Sequence, residues 1–303
     1  MLRRRLMPVA SRMMASAAPN KAAPANAAGR SALLTSTAIF GAANALGFGI
    51  SAVTGWHYHL DLIGTGVFAL SALATTGGGE PRQRLSGLGI ALWASKLSSF
   101  LFYRATLTQY DARLGETLAT TSGAAGFWLV SCAWGLVVSL PHTLAAGVPL
   151  KLRPRFGTWT DALGVGLFVL GLLLETAADY QKWQFKSAAA TRGSFCDVGV
   201  WQISQHPNWL GNLTLWTGLL VLNAPTLRAA GATRLLCAAA SPLFLLALFY
   251  GQATDAIAHT VALAEAKYGN DPSYRRYVAT TPLILPTPES LARLWGAAGA
   301  RSS

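Results

Sequence analysis

The sequence predicts an all-α membrane protein, a polytopic bundle of six or seven transmembrane helices, from its composition and its long apolar runs. Of the 303 residues, 52% are hydrophobic and 12% are charged, whereas about 25% of the residues of an ordinary soluble domain are charged. The apolar runs are continuous and do not alternate with polar residues. They therefore favour helices over the strands of a membrane β-barrel.

Seven apolar runs are candidate spans, because each approaches the roughly 20 residues that a helix needs to cross the hydrocarbon core. The sixth run is the shortest and decides between six and seven helices. The predicted spans are residues 31–53, 59–76, 87–103, 123–146, 160–178, 209–223 and 233–252. They define a membrane domain at 31–290, which follows a leader at 1–30 and precedes a C-terminal tail at 291–303.

The leader has the composition of a targeting segment. It is rich in Arg, Ala and Ser, contains no acidic residue and lacks the compact apolar core of a secretory signal. These features are typical of a mitochondrial or chloroplast transit peptide, which is removed after import. The prediction is therefore an organelle membrane, with a disordered basic leader on an endomembrane protein as the alternative.

Charge and cysteine content argue against two kinds of site. The net charge is +12, but the basic residues are scattered over the loops without a recognition motif, so no nucleic-acid partner is predicted. Either solvated loops and contact with membrane lipids that carry anionic headgroups explain these residues, or a few of them bind a phosphate-bearing cofactor. Cys132, Cys196 and Cys237 stand far apart, without disulfide or metal-ligand spacing, so no metal site is predicted.

Charged residues enter two of the apolar segments. Glu175, Asp179 and Lys182 are spaced by four and then three residues, which places them on one helical face. They form either the polar wall of a site or an Asp179–Lys182 pair that satisfies itself. Lys96 and Arg104 also share a helical face, and Lys96 either serves a site or extends to the headgroups. In contrast, "GVGLFVLG" lies inside a span and predicts a helix-packing surface.

The segment "WQISQHPNWLGN" interrupts the apolar pattern before the sixth run. Pro207 fixes its own backbone and keeps His206 out of the helical region, so a helix ends or restarts here. Trp201 and Trp209 are typical of a lipid–water boundary. His206 and Asn208 therefore either cap a helix or point into a site.

A second polar segment, "YGNDPSYRRYVATTPLILPTP", follows the last span. Tyr274 and Tyr277 lie three residues apart, beside Arg275 and Arg276. Tyrosines in such a place anchor a chain at the membrane interface. An Arg–Tyr cluster equally binds phosphate and stacks a flat ring.

Four parts of the chain, in order, resemble the DUF1295 family, relatives of the steroid 5α-reductases. They are "W.SKL..FLFYR......DARLGE", "E..ADYQKWQFK", "G.WQISQHPNWLGN" and "YGNDPSYRRYVATTPLILPTP". The resemblance implies an enzyme, an NADPH-dependent oxidoreductase that acts on a CH–CH group. Its substrate is a lipophilic small molecule, steroid- or enoyl-like, with a C=C bond conjugated to a carbonyl. Such chemistry needs hydride delivery, a proton donor and a dry pocket that opens to the bilayer.

The resemblance also assigns residues to the cofactor end, by matching position. These are Lys96, Arg104, Glu175, Asp179, Lys182, His206, Asn208, Tyr274, Arg276 and Tyr277. It does not identify the proton donor. Tyr103 and Tyr110 are candidates only because they lie close to the Lys96–Arg104 face in sequence.

The chain departs from the family pattern at three positions. The pattern reads Ser-Arg-His-Pro-Asn-Tyr followed by Gly-Glu, whereas this chain has Gln205, Trp209 and Asn212 in place of the arginine, tyrosine and glutamate. Loss of a cation and an anion together is either a compensated exchange that keeps the site or a change in cofactor preference or activity.

Two other classes remain open. Isoprenylcysteine-type membrane methyltransferases, which bind S-adenosylmethionine, share an Arg-His-Pro-like step and a Glu with a Tyr-x-x-Tyr ending. Glu265 is compatible with either enzyme. The third class is a non-catalytic membrane scaffold or a transporter, although the hydropathy pattern contains no convincing internal repeat.

Overall fold

The computed structural model describes residues 25–77, 80–108, 114–257 and 260–299, and these residues contain helices and no strand. The α-helices are α1 Ala25–Thr54, α2 Leu60–Thr75, α3 Pro81–Thr108, α4 Gly115–Leu118, α5 Thr121–Val138, α6 Leu140–Ala146, α7 Trp159–Ser187, α8 Pro207–Ala229, α9 Ala232–Ala253, α10 Thr260–Tyr268, α11 Pro272–Thr280 and α12 Pro288–Gly299.

The helices confirm the prediction of a polytopic helical membrane protein. Within the described residues, five helices are long and apolar enough to cross a membrane, namely α1 from Ser31 onward, α3, α5, α7 and α9. Helix α2 is a shorter apolar helix. Each predicted span lies on a helix, and the span at 123–146 is divided between α5 and α6. The chain is therefore an integral membrane protein.

Helices extend into both predicted end segments, whose boundaries stay predictions. Helix α1 begins at Ala25, inside the predicted leader, and α12 continues through Gly299, inside the predicted tail. Residues 1–24 lie outside the described residues. The prediction of an organelle membrane depends on them and stays a prediction.

Helix α8 lies at the centre of the bundle, where it packs against α3, α6, α7 and α9. Its 23 residues extend past both ends of the predicted span at 209–223, and 12 of them are buried. Asn212, Asn223 and Thr226 are among the buried residues. Because protein surrounds α8, these polar side chains find partners, and the helix needs no uniformly apolar surface.

Glycines bring α7 and α8 into close contact. A Cβ atom added to Gly164 would lie 2.5 Å from the backbone nitrogen of Leu222, and one added to Gly171 would lie 2.4 Å from that of Leu215. Gly211 and Gly218 of α8 meet the α7 backbone in the same antiparallel register. Only residues without side chains allow two helices to approach this closely. The "GVGLFVLG" pattern is therefore a packing surface, as predicted.

A buried arginine fixes α3 beside α7 at the start of both helices. The side chain of Arg82 is fully buried, and its Nε and Nη2 donate to the two carboxylate oxygens of Asp161 at 2.7 and 3.0 Å. Its Nη1 donates to Thr226 on α8 at 3.2 Å. A second pair, Lys96 and Glu175, also joins α3 to α7 further along both helices. Its residues are 79 positions apart in sequence, as are Arg82 and Asp161. Helices α3 and α7 therefore run parallel, and α8 runs antiparallel to both.

Candidate functional site

A carboxylate buried between α3, α7 and α8 is the first polar centre. Glu175 is 3% exposed. Its Oε2 accepts a hydrogen bond from Lys96 Nζ at 2.8 Å, and its Oε1 accepts from Trp93 Nε1 at 3.2 Å and from Asn212 Nδ2 at 2.9 Å. We call these four residues the Glu175 cluster. Lys96 thus pairs with the buried Glu175, although its own side chain is 25% exposed.

Asp179 lies one helical turn beyond Glu175 and is less well satisfied. Its Oδ2 is buried without a hydrogen-bond partner, and the same is true of Asn212 Oδ1. The charges of Glu175, Lys96, Arg104 and Lys182 all act on Asp179. Lys182 is among the charges that act on Asp179, but Oδ2 accepts no hydrogen bond from it. Most buried polar atoms in folded proteins have a hydrogen-bond partner, so these two acceptors call for an explanation.

The next residue on this face of α7, Lys182, reaches the segment before α8. Its Nζ lies 4.5 Å from the centroid of the Trp201 ring, which is a cation–π distance. The Trp201 Nε1 donates to Ala178 O at 3.0 Å and so holds this ring against α7. Gly199, at a positive φ of 56°, makes the tight turn that brings the segment to α7. Lys182 therefore links the Glu175 cluster to a second polar centre at the start of α8, which consists of Gln205, His206 and Tyr277.

Parallel stacking of three rings positions His206. The centroids of His206 and Trp209 are 4.0 Å apart with an 8° angle between the rings, and Trp209 stacks on Phe249 of α9 at 5.3 Å. Burial, assisted by the charge of Lys182, lowers the pKa of His206 to about 4. The imidazole is therefore neutral at physiological pH, and Trp209 holds it in place.

Gln205 connects the same segment to the end of α11. Its Nε2 donates to Thr281 O at 2.7 Å and to Val278 O at 3.1 Å. The hydroxyl of Tyr277 donates to Trp201 O at 2.9 Å, and burial raises the pKa of Tyr277, so it stays protonated. These bonds attach α11 to the start of α8.

The departures from the family pattern have separate partners. Gln205 bonds to carbonyls near α11, whereas Asn212 bonds to Glu175. They are therefore not a pair of residues exchanged in contact with each other. Trp209 provides the ring against which His206 stacks.

A cavity of about 380 Å³ lies where α7 and α9 end and α8 begins, and α10 and α11 complete its wall. Four of the predicted cofactor residues line it, namely Lys182, His206, Tyr274 and Tyr277. The cavity wall also contains Lys186, Phe195, Cys196, Trp201, Gln205, Glu265 and Tyr268, together with the apolar residues Ala253, Val261, Ala264, Val278 and Leu283.

Other predicted residues lie outside this wall. Arg276 is exposed on α11, and Asn208 is half-buried in the first turn of α8. Tyr103 is 54% exposed on α3 and packs against Trp183. Tyr110 lies outside the described residues. Among the residues that are described, no group of three or more His, Cys, Asp or Glu is arranged to hold a metal ion.

Lys186 and Tyr268 are among the wall residues that were not predicted from the sequence. Lys186 Nζ donates to the hydroxyl oxygen of Tyr268 at 2.8 Å. Lys186 follows Lys182 by four residues, so helical spacing gives a signal for it. Tyr268 has no such signal, because it reaches the cavity only through the packing of α10 beside the end of α9.

The fold and the two polar centres define a polytopic helical membrane protein with charged side chains buried between its helices and a cationic, aromatic cavity beside them. The chain belongs to the DUF1295 family, whose description is a protein of unknown function and whose model matches residues 47–281. That range contains every predicted site residue in the described part of the chain. No curated protein and no solved structure matches the chain.

Proposed function

We propose that the protein is an NADPH-dependent reductase of a C=C bond conjugated to a carbonyl, in a lipid-soluble substrate. The observation that carries this proposal is a continuous polar face of α7. It begins at the buried Glu175, passes Asp179 and Lys182, and ends at Lys186 in the cavity wall. A polar face of this length suits an elongated ligand with a neutral polar end and an anionic end.

The inner part of this face fits a nicotinamide carboxamide. Asp179 Oδ2 and Asn212 Oδ1 are buried acceptors without partners, and both residues adjoin Glu175. A carboxamide group has two N–H donors. Leaving a buried acceptor unsatisfied costs about 1–3 kcal/mol, so a ligand that donates to these oxygens gains that free energy on binding.

The outer part fits the phosphates. Lys182 and Lys186 supply ammonium groups, and Trp201 and Tyr274 supply aromatic rings. Ammonium groups bind phosphate, and a flat heterocycle stacks on aromatic faces. Glu265 is the acidic residue of the wall. The excess of positive charge favours anionic NADPH over S-adenosylmethionine, whose net charge is positive.

The residues of the chain then have distinct tasks. Glu175 is fixed by three donors, so it holds the side chains of Asn212 and Lys96 in place at the inner end. Neutral His206, fixed by its stack on Trp209, offers a ring nitrogen to the ligand. When bound, NADPH supplies the hydride for the β-carbon of the substrate. A dry site of this kind strengthens each electrostatic contact.

Side-by-side ligand binding tests this function. The full chain is purified in detergent, and the binding of NADPH, NADH and S-adenosylmethionine is titrated under one set of conditions. We expect saturable binding of NADPH. Saturable binding of S-adenosylmethionine alone would favour the methyltransferase, and binding of none of the three would favour a non-catalytic membrane protein.

A further inference from the structure

Two ammonium groups converge on one tyrosine at the outer edge of the cavity. Lys186 Nζ donates to Tyr268 OH at 2.8 Å and lies 5.0 Å from the centroid of the Tyr268 ring. Lys267 Nζ lies 5.3 Å from the same centroid. The rings of Phe195 and Tyr274 pack against Tyr268, with centroids 6.2 and 5.6 Å away. We call Lys186, Tyr268 and Lys267 the Lys–Tyr–Lys cluster.

The distance between Lys186 and Glu175 along α7 indicates which end of a bound dinucleotide lies beside this cluster. At about 1.5 Å per residue, Lys186 lies roughly 16 Å beyond Glu175 along the helix axis. Asp179 and Lys182 occupy the turns between them. If the nicotinamide lies at Glu175 and Asp179, a dinucleotide that follows α7 passes Lys182 with its pyrophosphate and reaches Lys186 with its adenosine.

We propose that the Lys–Tyr–Lys cluster binds the 2′-phosphate of the adenosine and so selects NADPH over NADH. This inference rests on the proposed reductase function. Two ammonium groups from different helices bind a phosphate by charge-assisted hydrogen bonds, and the neighbouring rings offer a surface for adenine. NADH carries a neutral hydroxyl at this position and gains no such attraction.

The electrostatics at Tyr268 agree with this assignment. Partial burial alone would raise the pKa of Tyr268. The hydrogen bond and charge of Lys186, with a further contribution from Lys267, reverse that effect and lower the pKa. Positive charge thus prevails at this hydroxyl, although Glu265 lies one turn away on the same helix. The same positive charge would attract a phosphate that lies beside this hydroxyl.

Nucleotide preference tests the cluster. NADPH and NADH are titrated against the full chain in detergent, then against Lys186→Gln, Lys267→Gln and the control Lys151→Gln, whose lysine is exposed between α6 and α7. We expect Lys186→Gln to weaken NADPH binding about tenfold to a hundredfold, with a smaller loss for Lys267→Gln. The affinity for NADH should not change in any variant, and Lys151→Gln should bind NADPH like the parent. Lys186→Arg should have an NADPH affinity close to that of the parent.

The outcomes separate this inference from the proposed function. Equal affinity of the parent for NADPH and NADH, or an equal loss of both in the variants, would overturn the inference and leave a reductase. Binding of neither nucleotide would overturn the proposed function itself. Lys186 also donates to Ser194 O, so Lys267→Gln carries the test if Lys186→Gln does not fold. Competition with NADPH by 2′-AMP and 5′-AMP gives a second measure. In the parent, 2′-AMP should displace NADPH better than 5′-AMP does, and in the variants this difference should disappear.

Discussion

The side-chain amide of Asn212 on α8 donates to the carboxylate of Glu175 on α7 across 2.9 Å. The family pattern has a glutamate at the position of Asn212. Two carboxylates at this distance disfavour each other's ionisation. In this chain the amide satisfies Glu175 and leaves Lys96 as its cation. With asparagine here, the buried centre has one negative charge fewer than an ionised glutamate would give it, and the amide donates to Glu175.

The first prediction concerns this amide. Replacing Asn212 with leucine keeps the volume and removes a donor to a buried carboxylate, which should lower the free energy of unfolding by about 1–3 kcal/mol. Thermal unfolding in detergent measures the change. Asn270→Leu, at an exposed position before α11, is the matched control. An Asn212→Leu protein as stable as that control would contradict the buried role of Asn212.

The second prediction separates the two acids of α7. Glu175→Gln should mainly destabilise the fold, because it leaves Lys96 without its buried anionic partner. Asp179→Asn should weaken NADPH binding and change stability less than Glu175→Gln does, because Asp179 Oδ2 has no hydrogen-bond partner among the described residues. Thermal melts with and without NADPH distinguish the effects. If Asp179→Asn lowers stability and binds NADPH like the parent, Asp179 is a structural residue.

The third prediction concerns pH and His206. Its pKa is about 4 in the folded protein, below the ordinary value of 6.5, so between these values the unfolded chain binds more protons. The stability that neutral His206 contributes is therefore present above pH 6.5 and is lost as pH falls toward 4. His206→Phe keeps a flat ring beside Trp209 and should show a smaller drop in thermal midpoint between pH 7 and pH 5.

The same residue should affect the ligand. His206→Ala should weaken NADPH binding about tenfold, and Asn208→Ala should have the smaller effect, since Asn208 lies outside the cavity wall. Unchanged affinity in the His206→Ala protein would remove this residue from the site.

The fourth prediction tests the helix contact that positions Glu175. A Cβ at Gly171 meets the Leu215 backbone at 2.4 Å, whereas one at Gly166 on the same helix meets nothing within 4 Å. Gly171→Ala should therefore reduce the yield of folded protein and its thermal stability. Gly166→Ala should be neutral or stabilising by about 0.5–1 kcal/mol. Similar behaviour of the two variants would argue against a tight α7–α8 contact.

Local patterns predicted the elements of this fold but not all of its contacts. The apolar runs located each span, and helical spacing placed Glu175, Asp179 and Lys182 on one face. Helix α8 extends beyond the apolar run at both ends, because a helix buried in protein does not require the apolar surface that identifies a span. The contact between Lys186 and Tyr268 was missed because it forms through packing across 82 residues of sequence.

Transfer of a labelled hydride tests the central claim most directly. The detergent-purified protein is incubated with NADPH deuterated at the transferable position of the nicotinamide and with a lipid extract of its source cells, and the lipids are analysed by mass spectrometry. We predict that an unsaturated carbonyl lipid disappears as its saturated, deuterium-bearing product forms, and that the Asp179→Asn protein forms less of it. If the parent protein binds NADPH and no lipid acquires deuterium, the protein is not the proposed reductase.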